Sequence, residues 1–280
     1  MIEEKFYTCK YDKPFKEIML KEENKDVLKK LLENILKIKI KEIEINNQER
    51  NTGNIKIRRK HLHALLTTNE GKIEIEVNTS NEKYVHPRNM AYISDIYASH
   101  TLVGEEYNED TKIIQINLSY KIKDEKGYRI YKVRDKEGKE YVKNLIIYEL
   151  NMQYYMDLWY NKKEEEIEEN KYIIMLDLKK EELKKLSKED KVVSKYMEEL
   201  DRLNSNPKFR EYMSAEEDAR KIYNSEIREA TEKGLEQGLE IGKKENQIDI
   251  AKNLIKMGLT LEQIMEATGL TEEEINKYCK

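Results

Sequence analysis

Residues 58–78, RRKHLHALLTTNEGKIEIEVN, decide the fold. Thr68-Asn69-Glu70-Gly71 is a tight polar turn between two runs of strand periodicity. After it, Ile73, Ile75 and Val77 alternate with Glu74, Glu76 and Asn78, the period-2 pattern of a half-buried strand. Before it, Leu62, Ala64 and Leu66 alternate with His61, His63 and Leu65. A two-residue loop at Asn69-Glu70 or at Glu70-Gly71 sets His63 opposite Glu76 or Asn78. Opposed residues of an antiparallel pair share a face. A histidine, a carboxylate and an amide then project from one side of a hairpin, which is either a polar site or a wetted sheet face.

Outward from the hairpin, two helical segments lie on its N-terminal side. Phe15, Ile18 and Met19 mark the first; Val27, Leu28, Leu31, Leu32, Ile35 and Leu36 mark the second, with Asn24 as its N-cap. Residues 38–46 alternate as a strand. On the C-terminal side the pattern predicts an aromatic helix over 89–103, a strand over 112–120 and strands over 127–133 and 141–150. A helix over 152–160, an acidic surface linker over 162–170 and a strand over 171–178 follow. This order of helices and strands predicts an α/β (α+β) core over residues 1–178.

Charged residues make up 39% of the 280, so much of the chain must be solvated helix. The net charge of −4 exerts no global pull on nucleic acid or an anionic membrane. Residues 1–160 are close to neutral and the acidic excess lies behind them. Cys9 and Cys279, at opposite ends, offer neither a disulfide framework nor a zinc spacing. With no signal peptide and no apolar run long enough to span a bilayer, a soluble cytoplasmic protein without a membrane partner is expected.

Residues 179–233 form a charged helical region, and 234–280 a separate tail. Gly234, Gly238 and Gly242 recur every fourth residue on one helical stripe. Each costs about 1 kcal/mol relative to Ala inside a helix, so the stripe is either a seam for self-association through residues 231–280 or a flexible connector. Two short helices then begin at Thr260 and Thr271, the second with Glu274 in capping-box spacing. The outline is a helix-turn-helix. Glu272, Glu273 and Glu274 stand where a groove reader carries basic or amide side chains, which favours a packing or protein-contact role.

Phosphodiester cleavage with Mg²⁺ needs hard oxygen ligands, usually two carboxylates, and a group that orients water. Glu76 is the candidate ligand, Asn78 the water-orienting group, and Glu74 shares their face. Arg58, Arg59, Lys60, Lys83 and Arg88 flank the site in sequence as candidate phosphate contacts. His61, His86 and His100 read as surface, loop and helix-packing histidines.

Several segments resemble the PD-(D/E)XK nuclease-like transposases, including the recombination-promoting nuclease (Rpn) group. They are DKPFK near the start, IEIEVN, HPRNMAYISDIYASHTLVGEEY, KIIQINLSY and the glycine-spaced tail ending ATGLTEEEI. The resemblance spans nearly the whole chain. It implies a restriction-endonuclease-like core with a helical extension, and Mg²⁺- or Mn²⁺-dependent cleavage of DNA by a mobile-element protein. It carries Glu33 over as a first-helix carboxylate and Glu76 and Asn78 as the E-x-K segment in a variant form. The family's hairpin Asp falls on His63. Histidine is a poor Mg²⁺ ligand, so either His63 with Glu76 accepts Mn²⁺ or another softer ion, or His63 is structural or solvated, or the family's Asp lies elsewhere in the sequence.

Three functions follow. The first is a catalytically impaired nuclease fold that binds DNA, RNA or a nucleic-acid-processing protein complex, for example a phage or mobile-element inhibitor of a defence nuclease. The second is an active metal-dependent DNA endonuclease of a mobile element. The third is a self-associating scaffold built on the glycine stripe.

Overall fold

The computed structural model describes residues 5–46, 64–79, 85–99, 110–122 and 124–278. The chain divides into two compact units, Met1–Pro207 and Lys208–Lys280.

The first unit opens with α1 (Asp12–Met19), a 3-10 turn and α2 (Lys25–Leu36). The α2 stripe of Val27, Leu28, Leu31, Leu32, Ile35 and Leu36 is buried as its spacing requires. Asn24 stands at the N-cap position, but its amide donates to Ile18 O (2.9 Å) instead of capping. Then come β1 (Ile43–Ile45), β2 (Ala64–Thr68), β3 (Gly71–Asn78), α3 (Val85–Ala98), β4 (Ile113–Ser119), β5 (Tyr128–Lys132) and β6 (Leu145–Asn151). All six strands form one sheet in the order β1-β2-β3-β4-β6-β5. β1, β2 and β3 are an antiparallel meander; β4 runs parallel to β3, and β6 parallel to β4. The parallel β3–β4 pair needs a crossover, which α3 supplies.

Pairing of Thr68 with Gly71 selects Asn69-Glu70 as the hairpin loop. Gly71 takes φ +128°, and a Cβ there would lie 2.1 Å from Lys112 O. Only glycine permits β3 to start so close to the chain entering β4.

The two faces of the sheet differ in chemistry. One carries Ile73, Ile75, Val77, Ile114, Ile116, Leu118 and Leu150 into the main core, which also takes in α2 and later helices. The opposite face carries a smaller apolar cluster, in which Ile93 and Ile96 of α3 cover Leu65, Ile113 and Leu145. Beyond that cluster the face is polar.

After β6 the chain forms α4 (Met152–Tyr160), α5 (Glu164–Ile174), α6 (Lys180–Leu186) and α7 (Lys191–Asn204). The acidic run expected as a linker is instead the start of α5, where Glu164, Glu165 and Glu166 complement a helix N-terminus. The strand expected over 171–178 is the end of α5 and a 3-10 turn, Met175–Asp177. Its buried run Ile173, Ile174, Met175 and Leu176 has no period, and an apolar run of that length fits strand and buried helix alike. Leu183, Val193, Tyr196 and Leu200 of α6 and α7 join the main core. The division after Pro207 therefore does not coincide with the boundary expected after residue 178.

The second unit holds most of α8 (Pro207–Lys256), then α9 (Leu261–Thr268) and α10 (Glu272–Tyr278). Ala251, Ile264, Leu270 and Ile275 form its small core. Thr260 and Gln263 make a reciprocal capping box at α9, and Thr271 and Glu274 do the same at α10. No described helix is long and apolar enough to cross a membrane.

Candidate active site

Parallel strands buried on both faces normally read as continuous apolar runs. β3, β4 and β6 depart from this toward their C-terminal ends. Glu76 pairs with Asn117 and Asn117 with Glu149; one step on, Asn78 pairs with Ser119 and Ser119 with Asn151. Two polar rows thus cross three strands on the face opposite the main core. Glu74, Glu76, Asn78, Gln115, Asn117, Ser119 and Glu149 are all at most 4% exposed.

Buried polar groups must be paired, and here the pairing is extensive. Asn117 donates to Glu149 Oε2 (2.9 Å) and accepts from Asn89 Nδ2 of α3 (3.0 Å). Ser119 Oγ donates to the other Glu149 oxygen. Gln115 donates to Glu74 Oε2 (2.7 Å) and to Asn89 O (2.9 Å). Arg88 Nη2 donates to Asn78 Oδ1 (2.6 Å). Burial pushes the Glu149 carboxyl above its ordinary range, and the Ser119 and Asn117 hydrogen bonds and the nearby His86 imidazole pull it part of the way back. Asn89 Oδ1 and Gln115 Oε1 are buried with no hydrogen-bond donor among the described residues.

Of the residues expected at the site, Glu76, Asn78 and Arg88 are brought to one face and one end of the sheet. Glu33 is not brought there. Its Oε1 accepts from Ile40 N (3.2 Å), its Oε2 lies by Lys30 and Lys39, and α2 packs into the core on the other face. That carboxylate closes the turn after α2. His63, Arg58, Arg59, Lys60 and Lys83 lie outside the described residues. Sequence reasoning missed Asn117, Ser119 and Glu149. Their signal was present in KIIQINLSY and IIYELN, which carry the same polar–apolar–polar ending as IEIEVN.

A helix, a three-strand meander, a crossover helix and a parallel fourth strand, with polar residues converging at the strand ends, define a nuclease-type α/β core. The sequence profile described as PD-(D/E)XK nuclease family transposase matches residues 9–230, and the chain belongs to that family. A second profile, described as Rpn/YhgA-like nuclease family, C-terminal HTH domain, matches residues 244–280. Searches of curated proteins and of solved structures returned no match.

PD-(D/E)XK nucleases generally use divalent metals. Among the described residues no three His, Cys, Asp or Glu side chains are grouped to hold one. Glu76 and Glu149 are separated by Asn117, and both Glu149 oxygens already accept from donors. Amides and a hydroxyl occupy the positions between and beside the carboxylates. Of the two metal ligands expected from the sequence, Glu76 stands in this row and His63 lies outside the described residues.

Proposed function

We propose that this chain is a catalytically impaired member of its family that acts by binding nucleic acid or a nucleoprotein complex. A phage or mobile-element inhibitor of a defence nuclease is one protein of that kind. The observation that carries the reading is the row Glu76–Asn117–Glu149, in which the central position is an amide bonded to the outer carboxylate. Such a row holds its own hydrogen bonds and offers little to a hard cation, whose affinity follows the count of free, charged oxygens. The fold then remains as a platform. Arg88 places a guanidinium beside Asn78, and the C-terminal helix-turn-helix, with Glu272, Glu273 and Glu274 opening its last helix, supplies a second element suited to the protein component of such a complex. Arg58, Arg59, Lys60 and Lys83 add candidate phosphate contacts by sequence.

The test compares cleavage of plasmid DNA and of RNA by the native protein, Glu76→Ala and His63→Asp, each with Mg²⁺ and with Mn²⁺. The expected result is no metal-dependent cleavage by the native protein. Robust native cleavage that Glu76→Ala abolishes would instead establish an active metal-dependent endonuclease. Binding is read separately from the salt dependence of affinity for duplex DNA. Each phosphate contact contributes a slope of about −0.9 in log K against log salt, and Arg88→Gln is expected to make the slope shallower by about one such contact.

A further inference from the structure

β5 is the last strand of the sheet, paired only with β6 among the described strands. All five of its residues are exposed, including Tyr128, Ile130 and Tyr131 at 46–51%. Natural sheets blunt such edges, because free backbone groups flanked by aromatic and β-branched side chains are a template for another strand. The ladder determines which groups are free. Asn151 N–H donates to Gly127 O (2.8 Å), so Gly127/Asn151 is a hydrogen-bonded pair. In an antiparallel ladder every second pair is of that type. Arg129 and Tyr131 therefore bond inward to β6, while the N–H and C=O groups of Tyr128, Ile130 and Lys132 point outward.

We propose that β5 pairs antiparallel with β5 of a second copy of this chain, about a two-fold axis at Ile130. The segment Tyr128-Arg129-Ile130-Tyr131-Lys132 is complementary to itself in that register. Ile130 meets the partner's Ile130, Tyr128 meets the partner's Lys132, and Arg129 meets the partner's Tyr131. Opposed residues share a face, so within residues 128–132 each cation is set against a tyrosine ring, a favourable contact. The outward backbone groups fall at hydrogen-bonding positions of the new ladder on both strands.

Charge separates a second copy from a nucleic acid as occupant. Arg129 makes two hydrogen bonds to Asp124, and Lys132 and Arg134 both reach Glu140 Oε1 at 2.8 Å. Those bonds hold both carboxyls below their ordinary range, so they stay ionised and offset the cations. A phosphate backbone is drawn by uncompensated positive charge. Two copies of one strand can meet only if their like charges are compensated, as these are. A single strand edge is small beside a standard interface, so the dimer is reversible and depends on concentration.

Sedimentation velocity of the full-length chain over a concentration series tests this. The native protein is expected to pass from monomer to dimer. Ile130→Lys places like charges face to face on the axis. Ile130→Pro removes an outward N–H and no bond of the β5–β6 ladder. Both are expected to raise the dissociation constant roughly tenfold or more while circular dichroism stays native. In a Cys279→Ser background that leaves only buried Cys9, Ile130→Cys is expected to oxidise to a covalent dimer. A hydrogen-bonded pair holds its Cα atoms about 5.5 Å apart, within disulfide range. Lys136→Cys, in the turn beyond β5, is expected to stay monomeric. A native protein that remains monomeric throughout overturns the proposal. So does self-association that both Ile130→Lys and Ile130→Pro leave unchanged, or a monomer whose single-stranded oligonucleotide binding Ile130→Pro abolishes.

Discussion

At the scale of residues, the site is one motif written three times. Glu76-Val77-Asn78, Asn117-Leu118-Ser119 and Glu149-Leu150-Asn151 each send an apolar side chain to the core and two polar ones to the opposite face, and the parallel register aligns them. Asn117 holds the middle of the row because an amide both donates and accepts, which neither flanking carboxylate does when ionised. Asn117→Asp removes the donor to Glu149 and inserts a third carboxylate between two others. It is expected to cost about 2–4 kcal/mol at neutral pH. Thermal melts should show the deficit shrinking under mildly acidic conditions, where the new carboxyl is protonated. An equal deficit at both pH values would mean that packing, not charge, governs the row. Gly71 is the other residue with no substitute. Gly71→Ala combines a strained φ with a backbone clash against Lys112 O, and is expected to lower stability by roughly 2 kcal/mol or more in denaturant titration.

At the scale of elements, Asp190 shows how a helix end is tied to the core. Its Oδ1 caps α7 by accepting from Val192 N (2.8 Å) and Val193 N (3.1 Å). Its Oδ2 accepts from Tyr172 (2.8 Å) and Lys171 (2.9 Å) of α5. Partial burial raises this carboxyl, but hydrogen bonds from Lys171, Tyr172 and the two N–H groups outweigh it and hold the group at about 2, against an ordinary 3.8. A depressed folded-state value stabilises the fold above the ordinary value, and that contribution is lost as pH falls through about 2. Glu149 runs the other way. Its raised value means that ionisation, as pH rises above the ordinary carboxyl range, works against the fold. Asp190→Ala should therefore cost about 1 kcal/mol as a lost cap and flatten the acid limb of the stability profile. Asp190→Asn should keep most of the cap and lose the acid dependence. Unchanged acid limbs in both variants would assign that limb to other carboxylates.

At the scale of the molecule, the chain is two compact units, with α8 beginning at their boundary. Gly234, Gly238 and Gly242 lie on α8 as one helical stripe, and a Cβ at any of them meets nothing within 4 Å. Among the described residues of one copy no close approach demands glycine there. The triple substitution to Ala is expected to raise helicity and thermal stability, by up to about 1 kcal/mol per site, with sedimentation unchanged. A fall in mass would instead make the stripe a seam between copies through residues 231–280. The exposed β5 edge is the surface to which the molecule commits its self-complementary pattern, and the two sets of variants separate these contributions.

Local spacing alone was enough for the hairpin, its tight turn, the α2 stripe, the N-cap at Thr260 and the capping box at Thr271, because each depends on neighbours a few residues apart. The family was legible for a related reason, since its segments are contiguous in sequence. What only the tertiary structure decided is which distant side chains meet. Asn117 and Glu149 read locally as ordinary alternating strand residues; parallel pairing across β3, β4 and β6 lines them up in one buried row with Glu76. Glu33 reads as well placed on its helix, yet α2 packs on the other face of the sheet and spends that carboxylate on its own turn. Residues 173–176 lacked a period, and the burial of α5 against the core chose helix over strand. Local spacing specifies an element and its apolar face, while the partner of each polar group depends on register across strands that are far apart in sequence.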